Sequence, residues 1–284
     1  MHARGVQLGI IVSDLDGTLL DSNRQLSAAD RSTLVGLGAR GILRVVATGR
    51  SLFSALRVVG DDWPIDFLVH ASGAGITHWP SRELVKVEHM QAPAALALAL
   101  HLQARGLDFM LHRSVPENHR CYLHRTARAN LDFDRRVELY ADYMQPFSRP
   151  LAITEPMCQA VVIDPAPSPG IYPQLRRELS ELSVIRTTSP LDGAATWIEV
   201  FPTGVCKSAA ARWLLETRAN AGTLSLAVGN DYNDLDLLDW ADLACVVANA
   251  PGELCRRYRC VASNDASGFT EAVELALVQQ ARGV

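Results

Sequence analysis

The sequence predicts an α/β protein: a Rossmann-like, doubly wound parallel sheet with an α+β domain inserted into it. Three apolar runs, residues 8–12, 43–47 and 66–70, alternate with helical patterns, as in strands buried on both faces of a sheet. The same alternation returns after residue 205, whereas the stretch between carries shorter strand patterns. A chain of 284 residues is long enough to bury two moderate cores.

The first elements follow one another in β-α-β-α-β order. A polar loop follows the first strand, and Ser27 with Asp30 three residues later predicts the start of a helix. Gly41 suits the end of that helix, and residues 51–59 are predicted as a second helix that ends at Gly60. This order is typical of a doubly wound parallel sheet.

The remaining elements predict the domain boundaries. After residue 205 the helices are predicted at 205–218, 235–240 and 268–281, and the strands at 225–228 and 243–247. Between the two α/β stretches, helices are predicted at 94–105 and 173–182, and strands at 82–89, 109–112, 121–124, 159–163 and 183–186. We therefore predict a discontinuous core of residues 1–82 and 191–284, and an inserted domain of residues 83–190.

Composition excludes several classes of protein. The net charge of −4, from 27 basic and 31 acidic residues, argues against a nucleic-acid binder driven by bulk charge. The apolar run near the start is too short for a signal-peptide core or a spanning helix, so no membrane association is expected. The six cysteines form no C-x-x-C pair and indicate reduced thiols in a cytoplasmic protein. We expect the protein to be a monomer or a small homo-oligomer.

The sharpest pattern is an Asp-x-Asp-Gly-Thr-Leu segment that follows the first strand. Asp14 and Asp16 lie at the carboxyl end of that strand, where open α/β sheets bind ligands. Paired carboxylates there can supply hard oxygen ligands to Mg²⁺, and one of them can attack a phosphoryl group. Gly17 lets the backbone turn and Thr18 offers a hydroxyl. The plain alternative is a solvated turn.

Two further segments carry candidate phosphate-binding groups. Thr48, Gly49 and Arg50 follow the second strand, so Thr48 is expected at the same sheet edge as Asp14. The chain has only two lysines, and Lys207 at a predicted helix start is a compact charge suited to a crowded phosphate–carboxylate site. A solvated lysine on a helix face is the alternative.

An acid-rich segment, Gly-Asn-Asp-Tyr-Asn-Asp at 229–234, follows a later strand. The order of all these motifs resembles the haloacid dehalogenase-like phosphatases, and in particular their Cof-type subgroup (subfamily IIB). The segments around Trp197, Asn249 and Asn264 also resemble that subgroup. The resemblance covers most of the chain and implies that the inserted domain is a cap of the C2 type.

The resemblance also implies a role for each matched residue. Asp14 would be the nucleophile and a metal ligand, and Asp16 the acid–base group with its carbonyl on the metal. Thr48 and Lys207 would contact the transferring phosphoryl group. Further phosphate contacts are implied for Thr18, Gly49, Arg50 and Asn233, and further metal ligands are Asn230, Asp231 and Asp234.

Two of these assignments remain open from the sequence. Asn230 occupies a position at which the family more often has an acid, so either its amide oxygen or the neighbouring Asp231 meets the metal. Arg50 either contacts substrate phosphate or braces its loop by pairing with an acid. Ser72 stands where the subgroup often has asparagine.

The resemblance implies a Mg²⁺-dependent phosphatase that hydrolyses a small phosphorylated metabolite, such as a sugar phosphate, through an aspartyl-phosphate. A phosphomutase or phosphotransferase on the same fold, or a non-catalytic phosphometabolite sensor, are the alternatives. The inserted domain is rich in arginine, which forms either a basic wall over an anionic substrate or a solvated surface. These arginines are Arg113, Arg120, Arg125, Arg128, Arg135 and Arg136.

Overall fold

A computed structural model describes residues 7–147, 152–167, 170–191, 193–220 and 222–282 of the chain. In chain order the strands are β1 (Leu8–Asp14), β2 (Leu43–Ala47), β3 (Phe67–His70), β4 (Gly75–His78), β5 (Glu83–Val87), β6 (Phe109–Arg113), β7 (Cys121–His124), β8 (Met144–Pro146), β9 (Met157–Pro167), β10 (Ser183–Thr188), β11 (Ala195–Phe201), β12 (Leu224–Gly229), β13 (Leu243–Val247) and β14 (Arg259–Val261). The helices are α1 (Ala28–Ala39), α2 (Leu52–Ala55), α3 (Ala92–Ala104), α4 (Leu131–Leu139), α5 (Tyr172–Glu178), α6 (Lys207–Arg218), α7 (Leu235–Trp240), α8 (Gly252–Arg257) and α9 (Gly268–Arg282). Among the described residues, no helix combines the length and apolarity needed to cross a membrane.

Contacts divide the chain into two compact units. Unit 1 comprises Met1–Arg50, Ala55–Lys86 and Cys206–Val284, and unit 2 comprises Ser51–Ser54 and Val87–Val205. The sequence-based boundaries differ from this division at residues 51–54 and 83–86, and most widely at residues 191–205, which the sequence analysis groups with the core. That segment contains β11, which is hydrogen-bonded between β9 and β10 in the sheet of unit 2. The alternation of apolar residues in β11 is compatible with either sheet, so only its hydrogen-bonded neighbours show that it belongs to unit 2.

Unit 1 is built on a sheet whose described strands run in the order β14-β13-β12-β1-β2-β3-β4-β5. The pairs from β14 to β3 are parallel, and β3 and β4 are antiparallel. Helices α6 and α7 pack over the sheet face that carries Ile10 and Val12, while α1 and α9 pack against each other. The predicted parallel α/β core is confirmed. The antiparallel strand β4, which lies between β3 and the edge strand β5, was not predicted.

Helix α2 is shorter than the sequence pattern indicates. The predicted helix spans 51–59, but the structure keeps only Leu52–Ala55. The N–H groups of Val58 and Val59 both donate to the carbonyl of Ala55, which closes a tight turn and ends the helix. The apolar residues beyond this turn are therefore not part of a helix, and packing explains their apolar character.

Unit 2 is an α+β layer structure. The described strands lie in the order β10-β11-β9-β6-β7-β8 and are antiparallel except for β7 and β8. On one face, α3 and α5 bury an apolar cluster that includes Leu98, Leu111 and Leu175. On the other, α4 inserts Phe133 against Met110 and other residues of the sheet. The sequence predicts the central strands and the layer of α3 and α5, but it does not predict helix α4 or strand β8.

Candidate active site

The loop after β1 has a left-handed backbone conformation at one position, which favours glycine. Gly17 has φ +71°, and a Cβ at this residue would lie 2.6 Å from the side-chain nitrogen of Asn230. Asn249 Nδ2 donates to the carbonyl of Gly17 at 2.7 Å, and Asn264 Nδ2 donates to the carbonyl of Leu20 at 2.9 Å. Two asparagines from distant segments therefore fix the backbone that carries Asp14 and Asp16.

Parallel pairing brings the candidate residues to one edge of the sheet. Asp14 is the last residue of β1 and lies opposite Ala47 of β2, so Thr48 follows at the same level. Ser13 lies opposite Val228 of β12, and Asn230 follows that strand two residues later. Asp14 and Thr48 are both buried. The sequence-based expectation that these loops converge is therefore met by the register.

Lys207, the first residue of α6, lies between two carboxylates. Its side chain is 0% exposed, and Nζ lies 2.5 Å from Asp14 Oδ1 and 2.6 Å from Asp234 Oδ1. Helix α6 reaches this position through a close backbone approach. Gly73 has φ +113°, and a Cβ there would lie 2.5 Å from the carbonyl oxygen of Cys206.

Burial and neighbouring charge shift the pKa of both partners. The pKa of Asp14 is raised to about 7, mainly by burial and then by the charge of Asp234, and Lys207 opposes both effects. Burial acts against the ammonium of Lys207, but the Asp14 and Asp234 carboxylates outweigh it and raise its pKa. Lys207 is thus a fixed positive charge in a dry site, where such a charge acts most strongly on a developing anion.

Asp234 is fully occupied by N–H donors from its surroundings. Its Oδ1 accepts from Lys207, and its Oδ2 accepts from the backbone N–H groups of Asn230 and Asp231 at 2.9 and 3.1 Å. Asp231 in turn caps the short helix with its side chain on the N–H of Asp234. Asn233 lies in the same turn, half-buried. Asp234 therefore ties the turn to Lys207.

The Asn230 amide lies against a group of oxygen atoms. In one orientation its Oδ1 accepts from Thr18 Oγ1 at 3.1 Å and otherwise faces acceptors. In the swapped orientation its nitrogen donates to the Asp16 carbonyl at 3.2 Å, to Asp14 Oδ2 at 3.3 Å and to Thr18 Oγ1 at 3.1 Å. Without a cation the swapped orientation satisfies more hydrogen bonds.

Arg50 makes a bidentate ion pair with Asp16. Its Nε lies 2.7 Å from Oδ2 and its Nη2 lies 2.6 Å from Oδ1. Of the two expectations for Arg50, the structure displays the pairing with an acid. The backbone N–H of Arg50 also donates to Thr48 Oγ1 at 3.1 Å, with Gly49 between them. Arg50 therefore orients the Asp16 carboxylate and joins it to the loop after β2.

The turn after β3 supports the site in a way that the sequence signalled only weakly. Ala71 and Ser72 have φ +47° and +52°, which is costly for residues other than glycine. Their N–H groups donate to the carbonyls of Arg50 and Thr48 at 2.7 and 3.0 Å. The single available signal was the Ala-Ser-Gly segment itself, because its backbone conformation has no periodic pattern.

Residues 11–273 match the model of the haloacid dehalogenase-like hydrolase family. The Bacillus subtilis 5-amino-6-(5-phospho-D-ribitylamino)uracil phosphatase YwtE is 24% identical over 95% of this chain and 98% of its own length.

Two solved structures share the fold. The phosphatase BT1666 from Bacteroides thetaiotaomicron superposes with TM-score 0.71 at 18% identity, covering 94% of each chain. The subclass IIB sugar phosphatase BT4131 gives TM-score 0.67 at 15% identity, covering 94% of this chain and 98% of its own. The resemblance stated from the motifs is confirmed. The chain belongs to the haloacid dehalogenase-like hydrolase family and is a phosphatase.

Proposed function

We propose that this chain is a Mg²⁺-dependent phosphomonoester hydrolase that acts on a small phosphorylated metabolite, a sugar phosphate, through an aspartyl-phosphate on Asp14. The observation that carries the proposal is the Lys207 ammonium, buried between Asp14 and Asp234 at the carboxyl edge of a parallel sheet. Phosphoryl transfer requires mainly positioning and neutralised charge, and this arrangement supplies both.

Asp14 is assigned as the nucleophile. Lys207 holds its Oδ1, so the carboxylate has one fixed orientation while its Oδ2 lies on the side of Asn230 and Thr18. Attack forms a bond from a carboxylate oxygen to phosphorus, and the bond from phosphorus to the ester oxygen of the substrate breaks. Water then attacks the phosphorus of the aspartyl-phosphate and releases inorganic phosphate.

Asp16 is assigned as the acid–base group. It gives a proton to the departing ester oxygen and later takes one from the attacking water. Arg50 holds both oxygens of this carboxylate, so substrate binding has to loosen that pair before Asp16 donates a proton. Thr48 is assigned to a hydrogen bond with the phosphoryl group, together with backbone and side-chain groups of the two loops: Thr18, Gly49 and Asn233.

The residues around Asn230 fit a magnesium ion. With the amide oxygen turned inward, Asn230 Oδ1, Asp14 Oδ2 and the Asp16 carbonyl form a set of oxygen atoms, the ligand type that Mg²⁺ requires. Bound there, the ion would neutralise charge between the Asp14 carboxylate and the phosphoryl oxygens. We assign Asp14, Asp16 and Asn230 to the metal, with Asp231 beside them.

Asp234 was expected among the metal ligands, and we now propose a different role. Both of its oxygens are engaged by protein N–H groups. Lys207 and the turn at 230–231 would each lose a partner if Asp234 bound a metal instead. We therefore assign Asp234 to positioning Lys207. The six free cysteines support a reducing compartment, and the cytoplasm is our proposed location.

Phosphate release tests the proposal. The substrates are a generic aryl phosphate and a panel of sugar phosphates, each assayed with Mg²⁺ and with EDTA. We expect turnover that requires Mg²⁺ and falls by about a thousandfold or more in Asp14→Asn. Turnover that survives this substitution contradicts the role of Asp14. Phosphate transferred to a second sugar position without release would indicate a mutase, and binding without any turnover would indicate a sensor.

A further inference from the structure

One face of the unit 2 sheet carries polar residues beside α4. His112 of β6 lies opposite Cys121 of β7 and Gln159 of β9, so these side chains are cross-strand neighbours. Gln159 Nε2 donates to Glu199 Oε1 of β11 at 3.5 Å. His112, Gln159 and Glu199 are all buried. Polar groups in such a position normally have complete sets of partners.

Arg136 of α4 lacks such a partner. Its guanidinium lies over the ring of Trp197 at 4.5 Å and over that of Tyr140 at 5.2 Å. Its Nε is buried without a hydrogen bond, and no ion pair joins Arg136 to a carboxylate in the described part of the chain. Asp132, one helical turn earlier, is taken by Ser189 Oγ at 3.0 Å and by Trp197 Nε1 at 2.5 Å.

Other arginines of the same domain have counter-ions. Arg113 pairs with Glu155 at 3.2 Å, and Arg120 pairs with Glu117 at 2.9 Å. Arg125 lies 2.9 Å from Asp108, a buried carboxylate. Three of the six arginines that could have formed a basic wall are therefore paired. Arg128 and Arg135 are exposed to solvent. Arg136 differs from both groups, because it is largely enclosed and unpaired.

His112 adds an unpaired acceptor near Arg136. Its Nδ1 lies 2.7 Å from the carbonyl of Asn118, so Nδ1 carries the hydrogen and Nε2 presents a lone pair. Burial, followed by the charge of Arg136, lowers the pKa of His112 to about 3. Nε2 of His112 and Oδ1 of Asn118 are both buried without a partner. Each is an acceptor that a hydroxyl group would satisfy.

We propose that Arg136 and His112 form a ligand site in unit 2 for a small polyhydroxylated anion. The carboxylate or phosphate of the ligand pairs with the Arg136 guanidinium, and a hydroxyl donates to His112 Nε2. Trp197 offers its ring beneath the guanidinium and holds it in place. The inference goes beyond the proposed phosphatase activity and does not depend on it.

Burial lowers the pKa of Arg136, and the nearby Glu199 and Asp132 carboxylates oppose this only in part, so among the described residues the enclosed guanidinium lacks a full counter-ion. The methylenes of Arg136 and its stacking on Trp197 recover only part of the cost of removing the guanidinium from water. A ligand anion supplies the missing partner. Arg136→Met keeps the length of the side chain and removes the charge, so it is expected to melt at or above the temperature of the unmodified protein when no ligand is present.

Calorimetric titration of the full chain tests the site. The probe is D-gluconate, which carries a carboxylate and hydroxyls but no phosphate, and sorbitol is its neutral counterpart. We expect gluconate to bind, sorbitol to bind much more weakly, and Arg136→Met to weaken gluconate by about tenfold or more. Arg135→Met, one position along α4 and exposed, is the matched control and keeps the affinity.

Two results overturn the proposal. One is gluconate binding that is absent in the unmodified protein or equal in Arg136→Met. The other is an Arg136→Met variant that melts far below the unmodified protein, since that result makes Arg136 a structural cation. Arg136→Lys, which keeps a charge, then shows whether lost binding follows the charge or the fold.

A kinetic experiment shows whether the anion that Arg136 binds is part of the substrate or belongs to a separate effector. The substrates are 6-phosphogluconate and glucose 6-phosphate. Both carry the same phosphate, but only 6-phosphogluconate has a carboxylate at the other end of the carbon chain. If the anion is part of the substrate, Arg136→Met raises KM for 6-phosphogluconate and leaves kcat and the KM for glucose 6-phosphate unchanged. If gluconate binds while both KM values stay constant, the ligand is a separate effector. Because gluconate binding needs no turnover, a failed phosphatase assay leaves this test intact.

Discussion

The two units each enclose a cation, and they treat it in opposite ways. Lys207 of unit 1 is fully buried and touches two carboxylates, Asp14 and Asp234, at 2.5 and 2.6 Å. Arg136 of unit 2 lies over aromatic rings with no carboxylate paired to it among the described residues. The paired lysine has both of its counter-ions within the protein. The unpaired arginine is the group that we propose to pair with a ligand anion.

The comparison shows how a buried charge with a structural role can be distinguished from a buried charge that is available to bind a ligand. A buried ion pair that is fully satisfied contributes fixed geometry, because removing either member leaves the other exposed to a large desolvation penalty. An enclosed charge without a partner costs stability until something binds. Substitutions at Lys207 and at Arg136 should therefore change stability in opposite directions.

The largest expected effect is the loss of stability in Lys207→Met. This change leaves the Asp14 and Asp234 carboxylates without their shared cation, and we expect a cost of about 3–5 kcal/mol in the free energy of unfolding at pH 8. Lys86→Met is the matched control, because Lys86 is the other lysine and lies over the ring of Trp213 at 5.7 Å. Its cost should stay below about 1 kcal/mol. Urea denaturation measures both. Equal losses in the two variants, or a similar loss in Arg136→Met, would remove the distinction between the two cations.

A smaller effect is expected at Asn230. Asn230→Asp adds a carboxylate to the oxygen group around Asp14, so Mg²⁺ should bind about tenfold more tightly. The same change removes the amide nitrogen that satisfies these oxygens without metal, so the melting temperature in EDTA should fall. Calorimetry with Mg²⁺ and melting curves with EDTA measure the two effects. Asn220→Asp adds the same charge at an exposed site and should change neither; an Asn230→Asp variant that behaves like it would place the metal elsewhere.

Acid stability tests the buried neutral histidines. Burial lowers the pKa of His70 to about 4 and that of His112 to about 3, from 6.5 in the unfolded chain. Between these values the unfolded state binds more protons than the folded state, so stability falls as the pH drops from about 6.5 towards 4. Each histidine contributes a slope of up to about 1.4 kcal/mol per pH unit. His112→Gln should flatten the curve. An unchanged slope in this variant would show that His112 is charged in the fold.

The smallest effect is expected for a surface ion pair. Arg31 and Asp62 lie 2.6 Å apart, but the Asp62 side chain is 78% exposed. Asp62→Ala should change the free energy of unfolding by no more than about 0.5 kcal/mol, because water screens the pair. Denaturation in low and high salt measures it. A cost close to that of Lys207→Met would mean that pairing, rather than burial, determines these effects.

The sequence predicts the parallel core, the insertion and the loops that meet at the sheet edge. Apolar strands buried on both faces and polar residues directly after them are local patterns, so they identify Asp14 and Thr48 from the sequence. Lys207 stands out as one of two lysines, at a predicted helix start. Pairing partners are not local. The assignment of β11 to unit 2, the contact of Lys207 with Asp234 and the ion pair of Arg50 depend on residues far apart in the chain.

Unit 2 shows the same limit more strongly. Its arginines look alike in the sequence, as a cluster on a polar surface. Only the fold separates Arg125, which pairs with buried Asp108, from Arg136, which pairs with no carboxylate in the part of the chain that the structure describes. The difference arises because Asp132 is already held by Ser189 and Trp197, which no spacing rule reveals. Composition therefore predicts where arginines are, and packing determines which of them can meet a ligand.

The most direct test of the proposed chemistry is to trap the intermediate. An acyl phosphate is reduced by borohydride to an alcohol, whereas a free carboxylate is not. Enzyme quenched with borohydride during turnover of an aryl phosphate should therefore yield a tryptic peptide in which residue 14 alone is reduced to homoserine. Enzyme without substrate should yield the unmodified Asp14 peptide. Reduction at another aspartate, or none while phosphate is being released, would contradict a covalent mechanism through Asp14.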